Sequence, residues 1–384
     1  MAATDSLASL DLERLARRRS AKWSAFDEDV LPAWVAEMDF PLAPPVKAAL
    51  HQAIELDDCG YADPTAPGGL GESFAGFAAR RMGWQLDPEL VVPLVDVVSG
   101  ICELLRVLTE PGDGVVINPP VYHPFFSLIP DTGRHLVEVP LAGGRELDLD
   151  GIGRAFADGA RALILCNPHN PTGAVLARGE LEAMAELAAE HDAWVLADEI
   201  HAPLVLAGAE HVPFITVSDA AAARGIVLSS ASKAFNVAGL KCAHAVTAGE
   251  PATAAVARLP EVARHSGHLG VLAAEAAFRD GDQWLDAVLE LLDSNRRLLG
   301  RLLDERLPEV AYRPPAAGYL AWLDCAALGL GADPAPALLE RGRVALSGGP
   351  SFGTGGDGFL RLNFATSPAL LEQIVERMAT GIRG

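Results

Sequence analysis

The chain lacks any run of about 18 consecutive apolar residues, the minimum for a membrane-spanning helix, although half of its 384 residues are hydrophobic. No membrane partner is expected. Positive charge is also short: 30 lysines and arginines against 51 aspartates and glutamates leave a formal charge of -21, which repels nucleic-acid phosphates and anionic lipid. No nucleic-acid partner is expected either. The one basic run, Arg17 to Arg19, reads as a solvated helix end. Five scattered cysteines (Cys59, Cys102, Cys166, Cys242 and Cys325) with no CxxC pair exclude a disulfide framework and a zinc site, and read as core thiols. The opening MAATDSLASLDLERLARRRS carries charge throughout, with no apolar core before a small-residue cleavage site, so a cytoplasmic setting is expected. GTGGDG, Gly353 to Gly358, has the spacing of a dinucleotide fingerprint but runs into a strand-like FLRLNF instead of opening a helix, which excludes that site. No internal repeat or low-complexity linker is evident.

What is present is an alternation of strand and helix. The length exceeds one simple core and calls for two domains, or a large domain with a smaller one wrapped from both termini. GVVINPPVYHPF, RALILCNPHNPTG, AWVLADEIHAPL and GIVLSSASKAF are each an apolar run followed by a polar or turn-forming segment, as in a parallel α/β sheet covered on both faces. A helical stretch runs from Glu180 to His191. After about Pro260 the pattern turns helical, notably from Gly281 to Leu307, before two more strand-like runs, AGYLAWLD and GFLRLNFA. This predicts a large domain over 46–280 and a smaller α+β domain over 281–384, with 1–45 folding back onto the latter.

Open α/β sheets bind ligands at the carboxyl ends of their strands. Here those ends offer Tyr122, Asn170, Asp198 with His201, and Ser230 with Lys233. Each has a plainer reading alone: Lys233 a surface lysine, Asp198 half of a structural ion pair, His201 a hydrogen-bonded structural histidine, NPHNPTG a turn. Placement together at strand ends favours a site, with Lys233 as a covalent anchor and Asp198 as partner to a cationic ring. An earlier run, ELVVPLVDVV, leads into Ser99, Gly100 and Ile101 and a helical CELLRVL, so amides at that helix start could hold a phosphate. Arg361 sits within an apolar strand; it is either paired structurally or awaits a carboxylate, which its planar fork suits.

Taken together, these segments resemble the fold type I pyridoxal-phosphate enzymes of the class I and II aminotransferase superfamily over nearly the whole chain. LPAWVAEMDFP, GYADP, PPVYHPF, CNPHNPTG, ADEIHAPL, SSASKAFNVAGLK, GYLAWLD and GPSFGTGGDGFLRLNFAT look most like the bacterial cystathionine β-lyase group of carbon–sulfur lyases. The resemblance implies an α/β fold: a large cofactor domain with a mainly parallel seven-stranded sheet between helices, and a smaller α+β domain built from both termini. It implies that Lys233 carries pyridoxal 5'-phosphate, Asp198 pairs with the ring nitrogen, Asn170 and His201 bond the phenolic oxygen, and Tyr122 stacks on the ring. The Gly100 and Ile101 amides, the Ser230 hydroxyl and Lys241 would hold the phosphate, with Tyr61 reaching in from the second subunit of a homodimer. Arg361, assisted by Asn170, would grip the substrate carboxylate. Glu37, where an aspartate is common, and Cys59, where an aromatic is usual, depart from the group near the substrate entrance.

The expected chemistry is removal of an amino acid's α-proton by Lys233, with Asp198 keeping the ring cationic, and loss of a β-thiolate to leave pyruvate and ammonia. An aminotransferase shares every step through the α-carbanion and is the alternative. A cofactor-binding regulatory protein without turnover is a third reading, disfavoured by the complete catalytic set and by the lack of a helix-turn-helix or basic patch.

Overall fold

The computed structural model describes residues 7–63 and 69–383; Met1 to Ser6, and Pro64 of the GYADP segment, lie outside them. In chain order the strands are β1 (Leu31–Pro32), β2 (Val91–Leu94), β3 (Gly114–Ile117), β4 (His135–Glu138), β5 (Ala160–Cys166), β6 (Trp194–Asp198), β7 (Gly225–Ser229), β8 (Ala243–Val246), β9 (Ala311–Tyr312), β10 (Leu320–Asp324), β11 (Val344–Ala345), β12 (Ser347–Gly348) and β13 (Phe359–Asn363). Seven form one sheet in the order β2-β8-β7-β6-β5-β3-β4. All neighbours pair in parallel except at β8, which is antiparallel to both β2 and β7.

The near-continuous apolar strands follow from burial on both faces. Along β5, Ala162, Ile164 and Cys166 belong to one core cluster and Leu163 and Leu165 to the other, because successive side chains of a strand point to opposite sides. Helix α1 (Val97–Leu108) buries Val97, Ile101, Leu104 and Leu105 against one face. Helices α2 (Arg178–Glu190) and α3 (His268–Asp280) cover the other. Each large apolar side chain so buried stabilises the fold by about 1.5–3 kcal/mol.

A second, antiparallel sheet has the order β12-β13-β10-β9 and shares the first core cluster with α4 (Asp282–Arg306) and α5 (Pro368–Arg383). The N-terminal segment joins it: β1 pairs in parallel with β11, and the Asn363 side-chain amide donates to the carbonyls of Val35 and Glu37 at 2.7 and 2.6 Å. Residues 34–39 thus form a strap. Its far end is held by an ion pair between Lys22 and Asp39 at 2.9 Å, side chains 1% and 3% exposed; stranding either charge there would cost about 3–5 kcal/mol.

Four sequence expectations need correction. Arg18 is no solvated residue, since its guanidinium donates to the carbonyls of Met38 and Asp39; only Arg17 and Arg19 are exposed. Cys59 is exposed and Cys102 half-buried, so only Cys166, Cys242 and Cys325 are core thiols. Strands β4 and β8 escaped notice because one is partly exposed along its length and the other is four residues long with a buried histidine, His244. Helix α1 begins at Val97, earlier than CELLRVL suggests, because the Asp96 carboxylate accepts the Ser99 amide at 2.8 Å and caps the helix there. Among the described residues no helix is long and apolar enough to cross a membrane.

Candidate active site

Three adjacent parallel strands, β5, β6 and β7, end at one cavity of about 350 Å³. The turn after β5 brings Asn170, the end of β6 Asp198 with His201 close behind, and the segment after β7 Ser230 and Lys233. Ser230 caps the single helical turn Ala231–Ala234 by accepting the Ser232 amide at 3.0 Å, which sets the direction in which Lys233 leaves the backbone. Tyr122, after β3, and Lys241, before β8, complete the lining drawn from the sequence reading.

Burial sets the electrostatics. Lys233 is pushed down to about 8, first by desolvation and then by the Arg361 charge, against the opposing pull of Asp198. Asp198 is raised to about 6 by desolvation, opposed by the Ile200 amide on its Oδ1 and by Lys233. Arg361, 3% exposed, is lowered to about 10 by burial. Its fork donates to Asn170 Oδ1 at 3.0 Å, the Trp34 carbonyl at 2.8 Å and Ser347 Oγ at 3.2 Å, but Nε has no partner among the described residues. None of these acceptors is a carboxylate. His201 is driven down to about 3 and stays neutral, its Nδ1 unpartnered, while burial pushes the Tyr122 phenol up to about 12.

Four residues of the sequence reading lie outside this lining: Gly100, Ile101, Tyr61 and Arg361. The Gly100 amide donates to the Asp96 carbonyl at 2.9 Å, and neither Gly100 nor Ile101 lines the cavity. Because the helix starts at Val97, the amides without an intrahelical acceptor belong to Val97 and Val98, both in the lining. Tyr61, 104% exposed, lies outside the cavity of its own chain.

The sequence reading missed the strap's part. Lys233 Nζ donates to the Ala36 carbonyl at 3.1 Å, and the buried Tyr319 hydroxyl donates to the same oxygen at 3.0 Å. Asn236, three residues past the lysine and at φ 57°, clamps the strap through both its amide and carbonyl bonds to Met38, at 2.9 and 2.8 Å. Asp96, ion-paired to Lys241 at 2.8 Å, was also unread. One signal was available: the sequence has four lysines, Lys22, Lys47, Lys233 and Lys241, and two of them line this cavity.

A family model described as "Aminotransferase class I and II" matches residues 36–378. The cystathionine β-lyase of Corynebacterium glutamicum is 40% identical over 371 residues, which is 96% of this chain and 98% of the relative's own length. The cystathionine β-lyase PatB of Bacillus subtilis is 34% identical over 385 residues, again 96% and 98%. The solved PLP-bound C–S lyase of Staphylococcus hominis superposes with a TM-score of 0.88 at 26% identity, over 98% of this chain and 99% of its own.

The residues present fit pyridoxal phosphate. A buried amine with lowered proton affinity, a buried carboxyl held near 6 that a cation would draw into its ionised form, and the unpartnered nitrogens of Arg361 and His201 are donors and acceptors in want of a ligand. The free amides of helix α1 and the Lys241 ammonium lie in the same lining as Ser230, whose hydroxyl donates to the Cys242 carbonyl at 2.6 Å, and an anionic phosphate would suit these donors.

In the cofactor-free protein Lys233 is expected to titrate near pH 8, because burial lowers it. Asp198→Asn should move the midpoint further down, since the carboxylate opposes that shift. The pH dependence of labelling of the Lys233 peptide by salicylaldehyde, read by mass spectrometry, checks this; a midpoint near 10.5 in wild type, or an upward move in the variant, would contradict it.

Proposed function

The chain belongs to the class I and II aminotransferase family, and within it we propose a pyridoxal-phosphate-dependent carbon–sulfur β-lyase that cleaves L-cystathionine or a related cysteine S-conjugate to a thiol, pyruvate and ammonia. The observation that carries the substrate reading is Arg361, a buried guanidinium with no carboxylate of its own, beside a lysine and an aspartate of shifted proton affinity. The full-length relatives in Corynebacterium and Bacillus support the choice of reaction.

When bound, the cofactor takes the amino group covalently and its cationic ring withdraws the electron pair left at the α-carbon. The protein's residues do the rest. Arg361 binds the α-carboxylate, with Asn170 fixing its fork. Asp198 carries the negative charge that keeps the ring nitrogen protonated. Lys233 takes the α-proton as general base; its contact with the Ala36 carbonyl, which can only accept, holds the amine without using its lone pair. The electron pair released at the α-carbon expels the β-thiolate, which leaves as the thiol once protonated. Free 2-aminoacrylate then hydrolyses in water to pyruvate and ammonia.

We further propose that the enzyme works as a homodimer in a reducing cytoplasm. The first point rests on Tyr61, wholly exposed in one chain and expected to serve its neighbour's phosphate; the second on five unpaired thiols, one of them exposed. Sedimentation velocity should give twice the chain mass for the active species, and an active monomer would contradict the first point.

Incubation with L-cystathionine should release pyruvate and homocysteine in equal amounts without added keto acid. Arg361→Lys, which keeps the charge and loses the fork, should lower kcat/KM by about 100-fold, or ~2.7 kcal/mol. Turnover that needs a keto acid and yields no pyruvate would make the enzyme an aminotransferase; no turnover of any amino acid would favour a regulatory protein.

A further inference from the structure

A second cavity of about 510 Å³, larger than the one holding Lys233, opens where the loops after β3, β4 and β5 meet the small sheet. One wall is built by Pro119, Pro120, Leu141 and Thr172, and the other by strands β9, β10 and β13. Trp322 and Phe359, both half-buried in its lining, stack on each other with ring centroids 5.1 Å apart and planes at 13°. Two arginines face it, Arg145 from the first wall and Arg313 from the second.

Arg145 is half-buried, and among the described residues its one side-chain bond is from Nη1 to the Thr172 carbonyl at 3.2 Å. Neither arginine has an ion-pair partner among the described residues. One carboxylate shares the lining, Asp324, which accepts the Ala326 amide at 3.0 Å; Glu138, outside the lining, accepts the Thr354 hydroxyl at 2.7 Å. Burial and the Arg313 charge both press down on the proton affinity of Arg145. In a chain of net charge -21, two guanidiniums set against the single Asp324 carboxylate beside a stacked aromatic pair suit an anion with a flat apolar body.

We propose that this cleft binds a small aromatic carboxylate, the ring resting on Trp322 and Phe359 and the carboxylate lying between Arg145 and Arg313. Its lining shares no residue with that of the Lys233 cavity, and the proposal holds whichever reaction that cavity performs. Such a ligand touches both walls and so ties the loops of the large sheet to the small one.

Calorimetric titration of the holoenzyme with 2-naphthoate tests it. One saturable site per chain is expected, weakened at least tenfold in Arg313→Ala, an exposed position whose loss should leave the fold intact, and more in the double variant with Arg145→Ala. Saturating L-amino-acid substrate should leave the affinity unchanged. No saturable binding in the millimolar range would overturn the proposal, as would binding that both variants retain. Competition by the substrate would place the naphthoate at Arg361 and overturn it too. Acetate binding as tightly as naphthoate would show charge alone at work and remove the aromatic platform.

Discussion

The site is organised around two cations held close together and out of water. Lys233 and Arg361 share a desolvated region with the Asp198 carboxyl, and uncompensated buried ions cost several kcal/mol each. Arg361 tolerates its position because acceptors from three distant parts of the chain converge on it: the Trp34 carbonyl from the strap, Asn170 from the turn after β5, and Ser347 from β12. These acceptors hold the guanidinium without neutralising it. The charge they leave over is what the α-carboxylate of the proposed substrate would balance.

The same economy explains the strap. Its backbone lies between two sheets and could have left unpaired carbonyls in a buried place, a costly outcome. Instead Trp34 accepts from Arg361, Ala36 from Lys233 and Tyr319, Val35 and Glu37 from Asn363, and Met38 from Asn236. A segment of little regular structure becomes part of the reaction centre because its carbonyls are the acceptors that two cations require.

How much of this was legible in the sequence follows from the range of the forces involved. The mainly parallel α/β sheet was readable because burial on both faces writes long apolar runs such as ALILC and GIVLS, and the polar ends of those runs marked where Asn170, Asp198 and Lys233 would meet. Family, enzyme class and cofactor were readable because several such segments occur in one order, as the match over residues 36–378 bears out. What stayed hidden was contact between backbone and side chain at long separation. Nothing in WVAEM announces that Ala36 will receive a lysine 197 residues away. The start of α1 was misplaced because an aspartate cap inside an apolar run looks like an interruption until the Ser99 amide is seen bonded to it.

The central claim is that Lys233 is the base that takes the α-proton of an amino acid held by its carboxylate. The most direct measurement is loss of the α-deuteron from L-[2-²H]alanine in water, followed by proton NMR on the cofactor-loaded enzyme, since alanine has no leaving group and isolates that step. Wild type should wash out the label without forming pyruvate, and Lys233→Ala should not. Label retained by wild type, or lost at an undiminished rate from the variant, would contradict the assignment.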